Sequence, residues 1–311
     1  MFTSRSSRHV TQPKDPLFPK IILFGDSLTE RSFKDCPNGF GSVLENYYAE
    51  RAAVQNWGFS GYNSTRLKPH FTSIIRSLQS TNSSPPLFIT IFLGANDACL
   101  PPSSAHVPLP QYEANIRRYV DEILEHPMTA GTKVILITPP PISIKAPLED
   151  EFEIPAVTAA IKKAAVEQRG YKTYMNKKLY AEKIMEIARD YEAKTDLVAG
   201  LNFWEAMIKL GNQQRSDEDV NNSAGTGKVS ESRSESESEC DAPPGSGCLG
   251  ARDFGDDVFV DGLHLGPLVS NELNTVGPKG IPLKSKRVMM CFRESFSRSL
   301  LPGGQSFGKI S

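Results

Sequence analysis

Between residues 21 and 199 the chain alternates short apolar runs with longer segments of helical periodicity. Ile21-Ile22-Leu23-Phe24, Ala52 to Trp57, Leu87 to Leu93 and Lys133 to Thr138 read as strands, and Asp196-Leu197-Val198-Ala199 as a fifth. The fourth is closed by Pro139-Pro140-Pro141. The runs are continuous in hydrophobicity rather than alternating, as strands covered on both faces must be. Between them, Gly41 to Ala49, Leu67 to Leu78, Tyr112 to Leu124 and Tyr171 to Tyr191 carry helical patterns. Ile116, Tyr119, Val120 and Ile123 fall on one stripe, as do Tyr180, Ile184, Ile187 and Tyr191. Alternation of this kind predicts an α/β fold, a parallel sheet with helices on both faces. In such sheets ligands bind beyond the carboxyl ends of the strands.

The rest of the chain reads differently. Residues 1–17 hold no apolar core of a secretory leader and are expected to be a disordered tail. Serine, arginine and the lack of an acid before Asp15 leave an organelle presequence as the alternative. Residues 211–252 contain Ser-Glu-Ser-Arg-Ser-Glu-Ser-Glu-Ser-Glu and Ala242-Pro243-Pro244-Gly245-Ser246-Gly247. So polar a tract is expected to be a disordered insertion. Ser232, Ser234, Ser236 and Ser238 each have an acid three residues on, the pattern of an acid-directed kinase site and equally of a merely solvated tract. Gly245 to Gly250 matches GxGxxG but follows no strand, so it is read as coincidence.

A formal net charge of −1 gives no bulk attraction for nucleic acid or acidic membrane. No apolar run approaches the roughly 20 residues of a transmembrane helix. The five cysteines show neither CxxC nor metal spacing, which favours reduced thiols in a cytoplasmic protein. Three Asn-x-Ser/Thr sites, at Asn63, Asn82 and Asn221, matter only on a secreted chain.

Four places carry candidate chemistry. Gly25-Asp26-Ser27-Leu28 leaves the first strand with a hydroxyl at the mouth of the expected crevice; a plain turn is the alternative. Asp261-Gly262-Leu263-His264 sets a carboxylate three residues before an imidazole, so that in a loop or helical turn both can face one side. His9 lies in the tail, and His70, His106 and His126 have no acid at useful spacing, so surface or core roles suit them. A serine hydroxyl is a poor nucleophile until a base takes its proton, and the base needs an orienting acid. An acyl-transfer site also needs donors for the developing oxyanion. Asn96 in Gly94-Ala95-Asn96-Asp97 and a glycine N–H in Asn56 to Gly61 could supply them; an Asn-Asp turn and a positive-φ loop are the plain readings.

Taken in order, GDSL at Ser27, FSGYN with Gly61, GAND with Asn96 and DGLH with His264 resemble the four signature blocks of the SGNH, or GDSL, hydrolases. WGFSGYNS, FLGANDACLP, the stretch from His106 to Tyr112, ITPPP and VDGLHL resemble the isoamyl-acetate-hydrolysing esterase branch. The resemblance implies a three-layer α/β/α sandwich, flavodoxin-like, with a five-stranded parallel sheet. It implies Ser27 as nucleophile, His264 as general base and then acid, and Asp261 as the orienting carboxylate. It places the oxyanion between the N–H groups of Ser27 and Gly61 and the side chain of Asn96. Asp26 would brace the turn. The implied substrate is a small ester of short acyl chain; a lysophospholipase, thioesterase or carbohydrate deacetylase, or an inactive scaffold, are the alternatives. No metal or organic cofactor is called for, and self-association is left open. The hydrolase domain would span 18–265, with 266–311 an atypical ending. Gly266 and Val269 stand where the family usually has a serine or threonine and then a glycine. Met289, Phe292, Phe296 and Leu300 could form a displaced helix.

Overall fold

The computed structural model describes residues 18–33, 39–79, 84–144, 164, 166–167, 170–212, 242–247, 251, 253–254, 258–259 and 261–265. Five strands form one sheet: β1 (Lys20–Gly25), β2 (Ala53–Gly58), β3 (Phe88–Phe92), β4 (Lys133–Ile137) and β5 (Val198–Leu201). Every pairing is parallel, in the order β2-β1-β3-β4-β5. Five helices accompany them: α1 (Ser27–Glu30), α2 (Phe40–Tyr47), α3 (Lys68–Gln79), α4 (Leu109–Glu125) and α5 (Tyr174–Glu192). Residues 203–212 are also helical. This is the expected α/β sandwich.

The two faces of the sheet are legible in β1. Ile22 and Phe24 point into a core shared with Phe71 and Ile75 of α3, Ile116 and Tyr119 of α4, and Ile184 and Ile187 of α5. Ile21 and Leu23 point the other way, toward Phe40 of α2, Phe203, Met207 and Leu210. A strand packed on both sides has no polar face, which is why its run is unbroken. Burying a side chain such as Phe24, which is fully enclosed, contributes about 1.5–3 kcal/mol.

Differences from expectation have local causes. β5 lies two residues later than Asp196–Ala199, because Leu197 donates to Thr195 Oγ1 in a turn before the strand starts. The helix at 203–212 was not anticipated. Its signal is Asn202, whose carbonyl oxygen Oδ1 accepts from the Glu205 N–H while its amide donates back to the Glu205 carboxylate. Phe203, Met207 and Leu210 then form its buried stripe.

The described residues also reach into the tract expected to be disordered. Residues 211–212 close a helix, Ser246 bridges Ile144, and Pro244 and Gly245 are buried beside Phe254. The remainder of that tract, with its serines, lies outside the described residues. So do the tail at 1–17 and the ending at 266–311. No described helix is long and apolar enough to cross a membrane.

Candidate functional site

The strand order reverses between β1, which continues toward β2, and β3, which continues toward β4. At such a switch point the two chains leave their strands in opposite directions and open a crevice beyond the carboxyl ends. Ser27 follows β1 and Asn96 follows β3, so both candidate side chains stand on its rim. Ser27 opens α1, where Asp26 is the N-cap: its carboxylate Oδ1 accepts the Leu28 N–H at 2.9 Å. That bond turns the chain sharply at the strand end and turns Ser27, 7% exposed, toward the crevice.

The imidazole arrives from the far end of the described chain. Phe259 and Leu265 form an isolated bridge, and Val258, Phe259 and Leu263 sink into the core on the α2 side of the sheet. Between these anchors Gly262 takes φ +75°, and its carbonyl accepts the Ser143 N–H at 2.8 Å. A Cβ there would lie 2.8 Å from the Ser143 carbonyl oxygen, so glycine is required for space as well as for φ.

The turn brings His264 Nε2 to 2.9 Å from Ser27 Oγ, across 237 positions of sequence. On the other side of the ring, Nδ1 lies 2.6 Å from Asp261 Oδ2. The other oxygen, Oδ1, accepts the N–H groups of Leu263 at 3.1 Å and His264 at 2.8 Å. Partial burial raises the Asp261 pKa, but these N–H donors and the imidazole outweigh it and hold the carboxyl below its ordinary value. An ionised Asp261 on Nδ1 leaves Nε2 as the nitrogen facing the hydroxyl.

The remaining predicted residues lie on the loops after β2 and β3. The β2 loop is tied to the nucleophile side: the Phe59 N–H donates to the Gly25 carbonyl, the Ser60 N–H to Glu30 Oε2, and Asn56 Nδ2 to the Glu30 carbonyl. Gly61 takes φ +77° with open space where a Cβ would be. Asn96 is 8% exposed, and one of its two amide protons goes to the Tyr62 carbonyl at 2.8 Å, which orients the group. The histidines set aside from sequence do other work: His70 stacks 4.1 Å from Phe59, His106 Nδ1 contacts the Cys99 carbonyl at 2.6 Å, and His126 accepts the Met128 N–H.

Sequence reasoning missed a set of buried charges behind the serine. Asp26, Asp97 and Lys177 are each wholly enclosed. Asp26 Oδ2, Asp97 Oδ2 and Lys177 Nζ have no hydrogen-bond partner among the described residues. Burial raises Asp26 to about 7 and Asp97 to about 6, and lowers Lys177 to about 7. Asp97 was legible as part of GAND; Lys177, one polar residue in a helical stripe, carried no signal of burial.

A model of the GDSL-like lipase/acylhydrolase family matches residues 21–273. Isoamyl acetate-hydrolyzing esterase 1 homolog of Rattus norvegicus is 35% identical over 195 residues, 62% of this chain and 70% of that protein. Its counterpart in Mus musculus is 41% identical over 128 residues, 40% of this chain and 49% of that protein. A GDSL esterase/lipase of Arabidopsis thaliana is 40% identical over 133 residues, 42% of this chain and 53% of that protein. The aligned region thus spans from about half to 70% of these relatives. With its parallel sheet, its serine at the end of β1 and a family match over most of its length, the chain belongs to the GDSL-like lipase/acylhydrolase family, among the carboxylic ester hydrolases.

Proposed function

We propose that this protein is a serine esterase that hydrolyses small esters of short acyl chains through an acyl-serine intermediate. The observation that carries the reading is the 2.9 Å approach of His264 Nε2 to Ser27 Oγ, with Asp261 on the opposite ring nitrogen. In this mechanism Ser27 Oγ attacks the ester carbonyl carbon while Nε2 takes its proton. The carbonyl electrons move onto oxygen, where the N–H groups of Ser27 and Gly61 and the Asn96 amide stabilise the charge. The tetrahedral species collapses and expels the alcohol, which leaves with the proton from His264. Water then attacks the acyl-serine, giving its proton to Nε2; collapse returns that proton to Ser27 and releases the acid. Asp261 keeps the imidazole oriented and stabilises its cationic form throughout.

A short acyl chain is supported by the isoamyl acetate-hydrolyzing esterase homologs among the similar proteins, those of Rattus norvegicus and Mus musculus included. The reading is tested with a fluorophosphonate probe and a p-nitrophenyl ester series of increasing acyl length. Ser27 is expected to be the labelled residue, Ser27→Ala to lose labelling and acyl burst, and turnover to fall beyond the shortest chains. A preference for long acyl chains would move the substrate to lipids or thioesters. Hydrolysis that survives Ser27→Ala would overturn the mechanism.

A further inference from the structure

Lys177 occupies an unfavourable position for a lysine. It lies in the first turn of α5, where the helix presents its positive end and destabilises a cation. It is also fully enclosed, and an ammonium taken out of water loses several kcal/mol or more of solvation unless charge replaces it. The stripe that buries it is not polar: Tyr174 and Ala181 sit one turn before and after on the same face, with Tyr180 beside them. Asn176, the preceding residue, donates to the Ala98 carbonyl at 2.6 Å, pinning this turn to the loop that carries Asn96 and Asp97.

The surroundings contain the compensation. Asp26 and Lys177 act on each other through space, and Asp97 acts on Asp26. Lys172, Cys99 and Asp261 also act on Lys177, Lys172 acts on Asp26, and Tyr112 feels both carboxylates. Asp26 and Asp97 each use one oxygen to hold a backbone N–H, of Leu28 and Ser64, and leave the other without a partner among the described residues. Two buried carboxyls that brace the loops after β1 and β3 are thus within electrostatic reach of a buried cation from a third element, whose first turn is bonded to the β3 loop at Ala98.

Resting on the reading of Ser27 as nucleophile, we propose that Lys177 is a positioning residue for the Ser27 turn, acting through Asp26 as its buried counter-charge. The ammonium favours the ionised form of Asp26 as acceptor for the Leu28 N–H, and charge-assisted bonds of this kind are roughly twice as strong as neutral ones. The turn then holds Ser27 at hydrogen-bond distance from His264. Without it the balance at Asp26 moves further toward the protonated form, the N-cap bond weakens, and the hydroxyl loses its fixed approach.

The test is a charge cycle on the full chain: wild type, Lys177→Met, Asp26→Asn and the double variant, each assayed with p-nitrophenyl acetate over a pH range and with the fluorophosphonate probe. A misplacement near 1 Å lowers rates by about 100-fold, so Lys177→Met is expected to lose roughly 10- to 100-fold in kcat with little change in KM. The acid limb of its pH–rate profile should move to higher pH. If Lys177 works through Asp26, the double variant is no slower than Asp26→Asn alone, whereas independent roles make the losses multiply. The double variant also serves where Lys177→Met, left with an uncompensated carboxylate, folds poorly. Multiplying losses, or a Lys177→Met profile superimposable on wild type, overturn the proposal. A wild-type protein whose Ser27 is unreactive overturns the functional reading and the positioning role with it; labelled Ser27 with multiplying losses sinks the positioning role alone.

Discussion

The serine and the histidine of this site are held in contrasting ways. Ser27 sits two residues beyond a strand paired on both sides, directly after Asp26, which is wholly buried. His264 sits in a turn whose carboxylate, Asp261, has a side chain 53% exposed, and which is held among the described residues by Val258, Phe259 and Leu263 in the core, by the Phe259–Leu265 bridge and by the bond between Gly262 and Ser143. The first position is set by the sheet, the second by a few loop contacts. Damage to the sheet should therefore remove stability first, while damage to the loop should remove activity and leave the fold nearly intact.

The largest effect is expected between the two regions. Asn96→Ala removes a donor without touching either anchor, and should lower kcat by roughly 100- to 1,000-fold, as removal of an oxyanion donor does elsewhere. Steady-state kinetics with p-nitrophenyl acetate check this, with thermal unfolding staying near wild type. A modest loss, under about tenfold, would remove Asn96 from the oxyanion site.

Gly262→Ala probes the loop directly. A Cβ at φ +75° and 2.8 Å from the Ser143 carbonyl forces the turn to shift, and a shift near 1 Å should reduce turnover by about 10- to 100-fold. The melting temperature should drop only slightly. A large loss of stability would mean that this loop is as much a part of the core as the strand.

Phe24→Ala is the reciprocal change. It empties a site between Phe71 and Tyr119, whose rings lie 5.2 and 5.3 Å from its own, and should destabilise the fold by about 3–5 kcal/mol. Urea denaturation measures this, and activity per folded molecule, at a temperature below the transition, should stay within about threefold of wild type. Lost activity in fully folded protein would show that strand packing also tunes the hydroxyl.

The smallest effect is electrostatic. Asp26 ionises near 3.8 in an unfolded chain and near 7 in the fold, so between those values the native state binds more protons and stability falls as pH rises. Asp97, raised to about 6, adds to the same slope. Lys177 has the opposite sign: lowered to about 7, it makes stability rise with pH from about 7 toward 10.5. Asp26→Asn keeps an acceptor for Leu28 and should flatten part of the fall between about pH 4 and about pH 7, read from denaturant midpoints. An unchanged slope would mean that Asp26 is ionised over this whole range.

Legibility followed the same division. The strands were readable because a strand buried on both faces must be apolar throughout, and β1, β3 and β4 leave no ambiguity. Ser27 and Asn96 were readable because they come directly after those strands, and parallel strands deliver their next residues to one end of the sheet. The helix at 203–212 was readable in principle from Asn202 and Glu205, but its apolar stripe is short and its neighbours irregular. Gly262 was seen only as a spacer within DxxH; that it must be glycine depends on Ser143, 119 positions earlier by subtraction of the two residue numbers.

By itself, the order of residues determined most of the strands and helices, the parallel character of the sheet and the candidate groups for acyl chemistry. Those features arise from local periodicity and from side-chain chemistry, which travel with the chain. Only the tertiary structure decided that His264 meets Ser27, and that Asp26, Asp97 and Lys177 are each enclosed. Contact across 237 positions depends on how loops close over the sheet. The protonation of a buried group depends on the charges and solvent around it, and neither is a property of the residue alone.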